Sequence, residues 1–418
     1  FFNDTATTEI YTLSLHDAFR SRILERFNPK GKYPAIAVNV KEGLSGGAEP
    51  FFDVLEPGGM VIFLGQQRHL PNRHQLFKLG FRAMREYMFL PFENPTILVP
   101  LLSRRSIKAS LSFMNPEDFL KRLALRFFPL APAARILGTL GSQFLIVAQR
   151  PGCLPEGSYL FDWISDKIGE TVQDATVYGG WTKQVFQLLG GKSQILGYAK
   201  TSDVVPGEQS LQRENKILKA LAGHRELASF LPPKVLMDHW QRHTVQIMQG
   251  STSSPQKRGW HLTPAHYDFL NRMSEMDVRE VPLEQWPIWT VLWNWAHEGE
   301  FASHDDRQMA QRIIESCAQN LSNCKIPFHR VHGDFSPWNT LLHRGRLTVI
   351  DWEDSTCCGL PLYDFVYFHI KPLICKRGPA QSIARLTKYC EAINLEAARL
   401  HILKRLGPTA PDVVKLNV

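Results

Sequence analysis

Short apolar runs separated by turn residues dominate the first 250 positions, and stretches of helical period follow. Ala35-Ile36-Ala37-Val38 predicts a buried strand, and Pro57-Gly58-Gly59 predicts a turn ahead of a second strand, Met60 to Leu64. Helical period runs from Arg73 to Met84. Tyr87–Pro91 and Ile97–Pro100 read as extended, Asp118–Phe128 as helix, Phe144–Ala148 as strand and Arg150-Pro151-Gly152 as linker. That alternation predicts an α/β sheet unit over residues 33–150. Thr176–Lys183 reads as a turn around Gly179 and Gly180. Gln184–Leu189 and Ile195–Ala199 then read as a hairpin about Gly190-Gly191. Leu211–Leu221 is an amphipathic helix with its leucines and Ile217 on the buried face, and Thr244–Gly250 is a strand entering the polar linker Ser251–Pro255. Residues 258–330 are expected to be helical. Trp286, Trp289 and Trp293, at i, i+3 and i+7, read as a core stripe before they read as a sugar platform.

One segment carries chemistry. Val331-His332-Gly333-Asp334-Phe335-Ser336-Pro337-Trp338-Asn339 is followed by Ile350-Asp351-Trp352-Glu353. It supplies a carboxylate, an amide five residues on, and a second carboxylate after an apolar run. Phosphoryl transfer uses such a set: one carboxylate takes or orients the proton of an attacking hydroxyl, while an amide oxygen and a carboxylate hold magnesium against ATP. The Asp334-to-Asn339 spacing equals that of the protein-kinase catalytic loop, with Gly333 where that loop has Arg.

HGDFSPWN, IDWEDS and Gly359-Leu360-Pro361-Leu362-Tyr363-Asp364 together resemble the aminoglycoside phosphotransferase and choline kinase families, and within them members found with polysaccharide-biosynthesis genes. The resemblance implies an α+β, bilobal protein-kinase-like fold: a small β-rich lobe over 155–250 and a larger helical lobe over 256–418. It implies ATP and Mg2+, with Asp334 as base and Asn339 and Asp351 as metal ligands. Gly179 and Gly180 would cover the phosphates. Lys200 would clamp them, aligned by Glu214 fourteen residues on, with Lys183 and Arg213 as competing assignments. His332 is expected to buttress the loop, and Asp364 to tie it down by hydrogen bonds. The acceptor would be a small-molecule or carbohydrate hydroxyl. A nucleotide-binding pseudokinase scaffold is the alternative, suggested by the sparse glycine turn.

Residues 33–150 resemble the C-terminal half of a class I SAM-dependent methyltransferase, through Val54-Leu55-Glu56-Pro57-Gly58-Gly59 and the closing FLIVAQRPG. This implies a partial α/β domain ahead of the kinase-like part and no methyl-transfer site, since Gly43-Leu44-Ser45-Gly46-Gly47 is not the cofactor loop. Residues 1–18 lack the basic start of a signal peptide and resemble the translated read-through of a sequencing adapter. They are set aside, and native sequence is expected to begin between Phe19 and Tyr33.

Composition alters this picture little. With 418 residues, 44% hydrophobic and 21% charged, the chain can bury large cores, and its length fits two or three domains. A net charge of +8 suits a nucleotide-binding cleft and leaves peripheral membrane contact open, while no nucleic-acid motif accompanies it. Seven cysteines without metal-site spacing read as reduced thiols of a cytoplasmic protein. The longest apolar stretch, Ile136 to Ala148, is too short to span a bilayer. Oligomeric state leaves no mark.

Overall fold

The computed structural model describes residues 33–40, 48–66, 69–90, 96–101, 106–107, 110, 143–152, 159–180, 182–192, 194–250, 257–258, 261–301, 303–322, 324–377, 400–406 and 413. The predicted helix at Asp118–Phe128, the Gly43–Gly47 segment, the Ser251–Pro255 linker and residues 1–18 lie outside that set. Two compact units divide the chain, Phe1–Leu211 with Pro233–Gln256, and Gln212–Pro232 with Lys257–Val418.

The first unit is built on one mixed sheet. Its strands are β1 (Tyr33–Val40), β2 (Leu55–Gln66), β3 (Ala83–Leu90), β4 (Thr96–Pro100), β5 (Gln143–Gln149), β6 (Asp174–Gly179), β7 (Gln184–Leu189), β8 (Ile195–Ser202), β9 (Lys234–Trp240) and β10 (His243–Gln249). They lie in the order β1-β2-β5-β3-β4-β6-β7-β8-β10-β9. Among the described residues only β1 and β2 pair in parallel, with the helix α1 (Glu49–Val54) between them in sequence; the other pairs are antiparallel. Strands from 33–150 and from 155–250 thus share one sheet, stitched where Thr96, Ile97 and Leu98 pair with Gly179, Tyr178 and Val177.

Two predictions fail locally. Pro57-Gly58-Gly59 does not precede β2 but forms an irregularity inside it: Leu55 pairs with Tyr33 and the next register pair is Met60 with Ala35. The helix expected to reach Met84 stops early. Helix α2 (Arg73–Lys78) starts on an Asn72 capping box. It ends before Gly80, whose φ of 100° suits glycine, and Met84 already belongs to β3. Helix α3 (Leu160–Ile168) packs Leu160, Phe161, Ile164 and Ile168 into a core shared with Leu98, Leu145, Val177, Phe186 and Val245.

Helix α4 (Val205–Leu221) gives its first residues to the first unit and the rest to the second. The second unit then carries β11 (Lys257–Arg258), α5 (Pro264–Met273), β12 (Arg279–Pro282), α6 (Trp289–Glu298), α7 (His304–Leu321), β13 (Lys325–Val331), β14 (Thr340–His343), β15 (Arg346–Val349), β16 (Thr356–Gly359), α8 (Tyr363–Arg377) and α9 (Ile402–Leu406). Residues 258–330 carry three α-helices, but the expected helical stretch is interrupted by β12 and ends in β13, which starts at Lys325 and pairs with β12 through Arg279 to Pro282. Trp286 and Trp289 are buried; Trp286 stacks on Phe328 and donates its Nε1–H to the Cys358 carbonyl at 3.0 Å. Trp293 is partly exposed beside His297. The core reading holds for the first two tryptophans of the stripe.

Among the described residues no helix is long and apolar enough to cross a membrane.

Candidate active site

Asp334 and Asn339 occupy the loop between β13 and β14, and Asp351 follows β15. Folding brings them together through a hairpin. Arg344 and Gly345 both have positive φ, 48° and 81°, the turn that joins two antiparallel strands most tightly. The register then sets Thr340 against Val349, and the Ile350 amide donates to the Asn339 carbonyl at 3.0 Å. A twelve-residue separation closes in this way.

The loop is held from several sides. Asn339 Nδ2 donates to the Asp334 carbonyl at 2.9 Å and to Asp334 Oδ2 at 2.7 Å. His332 Nδ1 accepts from the Asp334 amide at 3.3 Å, which leaves Nε2–H to donate to the Ile350 carbonyl at 3.1 Å. The buried Asp364, on α8, accepts from the His332 amide at 2.6 Å and from the Gly333 amide at 3.0 Å. The aromatic members of the motif are anchors: Phe335 stacks on Phe269 at 5.1 Å, and Trp352 meets Phe269 edge-on at 5.9 Å, all three fully buried. In the sequence the only trace of these anchors is an aromatic directly after each acidic residue, Phe335 after Asp334 and Trp352 after Asp351.

Gly333 has φ 87°, and a Cβ there would meet the Asp354 carbonyl oxygen at 2.3 Å. A side chain at this position is therefore strained both by the backbone and by that contact. Asp351 has φ 68° and ψ 60°, a left-handed conformation that costs a non-glycine residue on the order of 1–3 kcal/mol. Strain of this kind is retained where surrounding contacts enforce it.

Glu214 lies on the apolar stripe of α4 with Leu211, Leu218 and Leu221, and is fully buried. Its Oε1 accepts from the Trp352 amide at 3.1 Å, fixing the residue next to Asp351. Ile217, predicted on the same face, is only partly buried.

Burial raises the Asp334 carboxyl above the ordinary carboxylate value. Lys371 and Tyr367 pull it back, Asp351 pushes it further up, and Asn339 lowers it. Asp364 is pushed up to about 7 by burial, against the pull of the two amides it binds.

The remaining predicted residues belong to the first unit. Lys200 is buried two residues before the end of β8, between Val185 of β7 and Gln246 of β10. Gly179 ends β6 opposite Gln184, and Gly180 donates its amide to the Lys183 carbonyl at 3.0 Å, closing the β6–β7 turn. The turn is shorter than the sequence predicted, since Thr176 to Gly179 is strand. Of the competing assignments, Lys183 donates to Ser210 at 2.9 Å and Arg213 is exposed.

The donor set suits magnesium. Asn339 gives its Nδ2 to Asp334, which leaves its side-chain oxygen as one hard donor; the Asp351 carboxylate offers hard donors of the same chemistry. Among the described residues no group of three or more His, Cys, Asp or Glu could hold a metal. Magnesium needs no such cage when phosphates and water complete its shell.

Residues 177–401 match the family described as Phosphotransferase enzyme family, APH. The chain belongs to this family. It is thus a kinase-type phosphotransferase acting on hydroxyl groups, with the α+β fold that its motifs implied. Among solved structures, it is similar to ADP-bound aminoglycoside phosphotransferase APH(2'')-Ib at 15% identity, over 62% of this chain and 95% of that one, with a TM-score of 0.36. It is similar to the streptomycin–ATP–APH(2")-IIa ternary complex at 16% identity, over 63% and 85%, TM-score 0.35. For aminoglycoside phosphotransferase APH(4)-Ia the figures are 14%, 61% and 87%, and 0.40. No curated protein matches the chain.

Proposed function

We propose that this family member transfers the γ-phosphoryl group of ATP to a hydroxyl of a small molecule or carbohydrate, in the cytoplasm, on a precursor of a surface polysaccharide. The observation that carries the reading is the Asp334–Asn339 hydrogen bond set beside the strained Asp351 by the β14–β15 hairpin.

Asp334 orients the acceptor hydroxyl and receives its proton as the oxygen attacks phosphorus. Asn339 holds that carboxylate by one oxygen and so fixes the direction of the other. Asn339 Oδ1 and Asp351 are the chain's ligands for Mg2+, which when bound neutralises charge developing on the phosphoryl oxygens. Glu214, by holding the Trp352 amide, keeps Asp351 in its left-handed conformation. Its alignment of Lys200, and Lys200 as a point charge on the phosphates, follow the family resemblance, as does cover of the phosphates by Gly179 and Gly180. Residues 33–150 we carry as a methyltransferase-like fold alone; the parallel β1–β2 pair with its helical crossover supports that likeness.

A thermal-shift titration tests the metal assignment. ATP with magnesium should raise the melting temperature of the wild type well above the rise given by ATP alone. Asp351→Ala should lose that magnesium-dependent increment. An increment equal to the wild type's would remove Asp351 from the metal site.

A further inference from the structure

Helix α8 carries groups that the roles above leave unused. Tyr363, Tyr367 and Lys371 stand four residues apart, so one helix face carries all three. That face is half exposed, while Asp364, Phe365, Val366 and Phe368 point into the core. The two phenol rings are stacked at 5.6 Å and 18°. Lys371 Nζ donates to the Tyr367 hydroxyl at 2.6 Å and lies 3.8 Å from Asp334 Oδ1. The second distance is an ion contact too long for a hydrogen bond. Asp334 Oδ2 is taken by Asn339, whereas Oδ1 is turned toward Lys371, and Tyr367 also acts on this carboxylate. The oxygen left to meet an acceptor proton is therefore the one that faces Lys371.

We propose that Tyr363, Tyr367 and Lys371 form the acceptor subsite, and that they select a hydroxyl-bearing ring with an anionic substituent over a polycationic aminoglycoside. The proposal rests on the kinase reading and names its substrate class. An ammonium has three donors, of which the Tyr367 hydroxyl takes one. Two remain for a phosphate or carboxylate on the acceptor. A cation approaching Asp334 Oδ1 meets a like charge first. The stacked phenols give a ring-shaped acceptor a face to lie on and polar edges to bond. Burial and the neighbouring Tyr367 push the Tyr363 phenol up to about 12, so it stays a neutral donor.

Steady-state transfer from labelled ATP tests this, with glucose, glucuronate, glucose 6-phosphate and kanamycin as acceptors. The enzymes are the wild type, Lys371→Met and Lys371→Arg. The wild type should favour at least one anionic sugar over glucose by about tenfold or more in kcat/KM, and kanamycin should be the poorest. Lys371→Met should collapse the anionic-to-neutral ratio through the acceptor KM, and Lys371→Arg should keep it. Glucuronate and glucose 6-phosphate separate a carboxylate from a phosphate preference. A fall in Lys371→Met that is equal for every acceptor would assign the lysine to the transferring phosphoryl group and overturn the acceptor subsite. Kanamycin as the best acceptor would overturn it also. Transfer to none of the four, with ATP binding intact, would overturn the anionic-sugar class, whereas loss of ATP binding as well would count against the kinase reading on which it rests.

Discussion

Gly333 shows how a single atom shapes the site. Its backbone takes φ 87° directly against the Asp354 carbonyl, one residue before Asp334. Gly333→Ala adds a Cβ at 2.3 Å from that oxygen and forces either the loop or residue 354 to move. The variant should lose well over ~1 kcal/mol of stability, more than an ordinary glycine-to-alanine change, and most of its turnover. Denaturant unfolding beside a transfer assay checks both; a stable and active variant would mean that the loop is not pinned there. The motif's acids, amide and glycine were legible in the sequence because each is a chemical necessity at a fixed spacing. Lys371 was not: 37 positions separate it from Asp334, and nothing local distinguishes it from any surface lysine. Its only trace was the Tyr-Tyr-Lys spacing of four along a helix.

At the scale of elements, α8 grips the catalytic loop through one buried carboxylate. Asp364 accepts from two successive amides of the segment that ends in Asp334. Its proton is held more firmly in the folded chain, near pH 7, than in an unfolded one. A raised acid contributes stability that is fully present below the unfolded value of about 4 and is lost as pH rises through about 7. Two buried histidines, His266 and His329, are lowered to about 4 and act in the opposite sense, so the wild type's own pH profile mixes both. The difference between wild type and Asp364→Asn isolates the carboxylate. The melting-temperature gap between them should be widest at about pH 4 and below, and narrow to a plateau by pH 8. A gap independent of pH would show that Asp364 does not titrate in that range. The β7–β8 hairpin was legible because two apolar runs flank Gly190-Gly191, whereas Pro57-Gly58-Gly59 was misread because it lies inside a strand. The over-long helix to Met84 was misread because helical period carried past Gly80, whose positive φ ends it.

On the scale of the whole molecule, sequence order is a poor guide to what folds with what. Residues 212–232 leave their neighbours for the second unit, where the Phe230 carbonyl accepts from Val349 at 2.7 Å. The strands of 33–150 join the sheet of 155–250 by pairing Thr96 to Leu98 with β6. Long-range pairings of this kind follow from which edges and faces meet, which periodicity within a window cannot reveal. What survives every scale is the juxtaposition of Asp334, Asn339 and Asp351 in the second unit. Every role given to this site depends on Asp334 acting as the base of phosphoryl transfer to a hydroxyl. The most direct measurement is the single-turnover rate of transfer from labelled ATP in Asp334→Asn against wild type, with nucleotide affinity measured on the same samples. Transfer should fall by ~10²–10⁴ while ATP affinity stays within about threefold. An unchanged transfer rate with intact nucleotide binding would contradict the account.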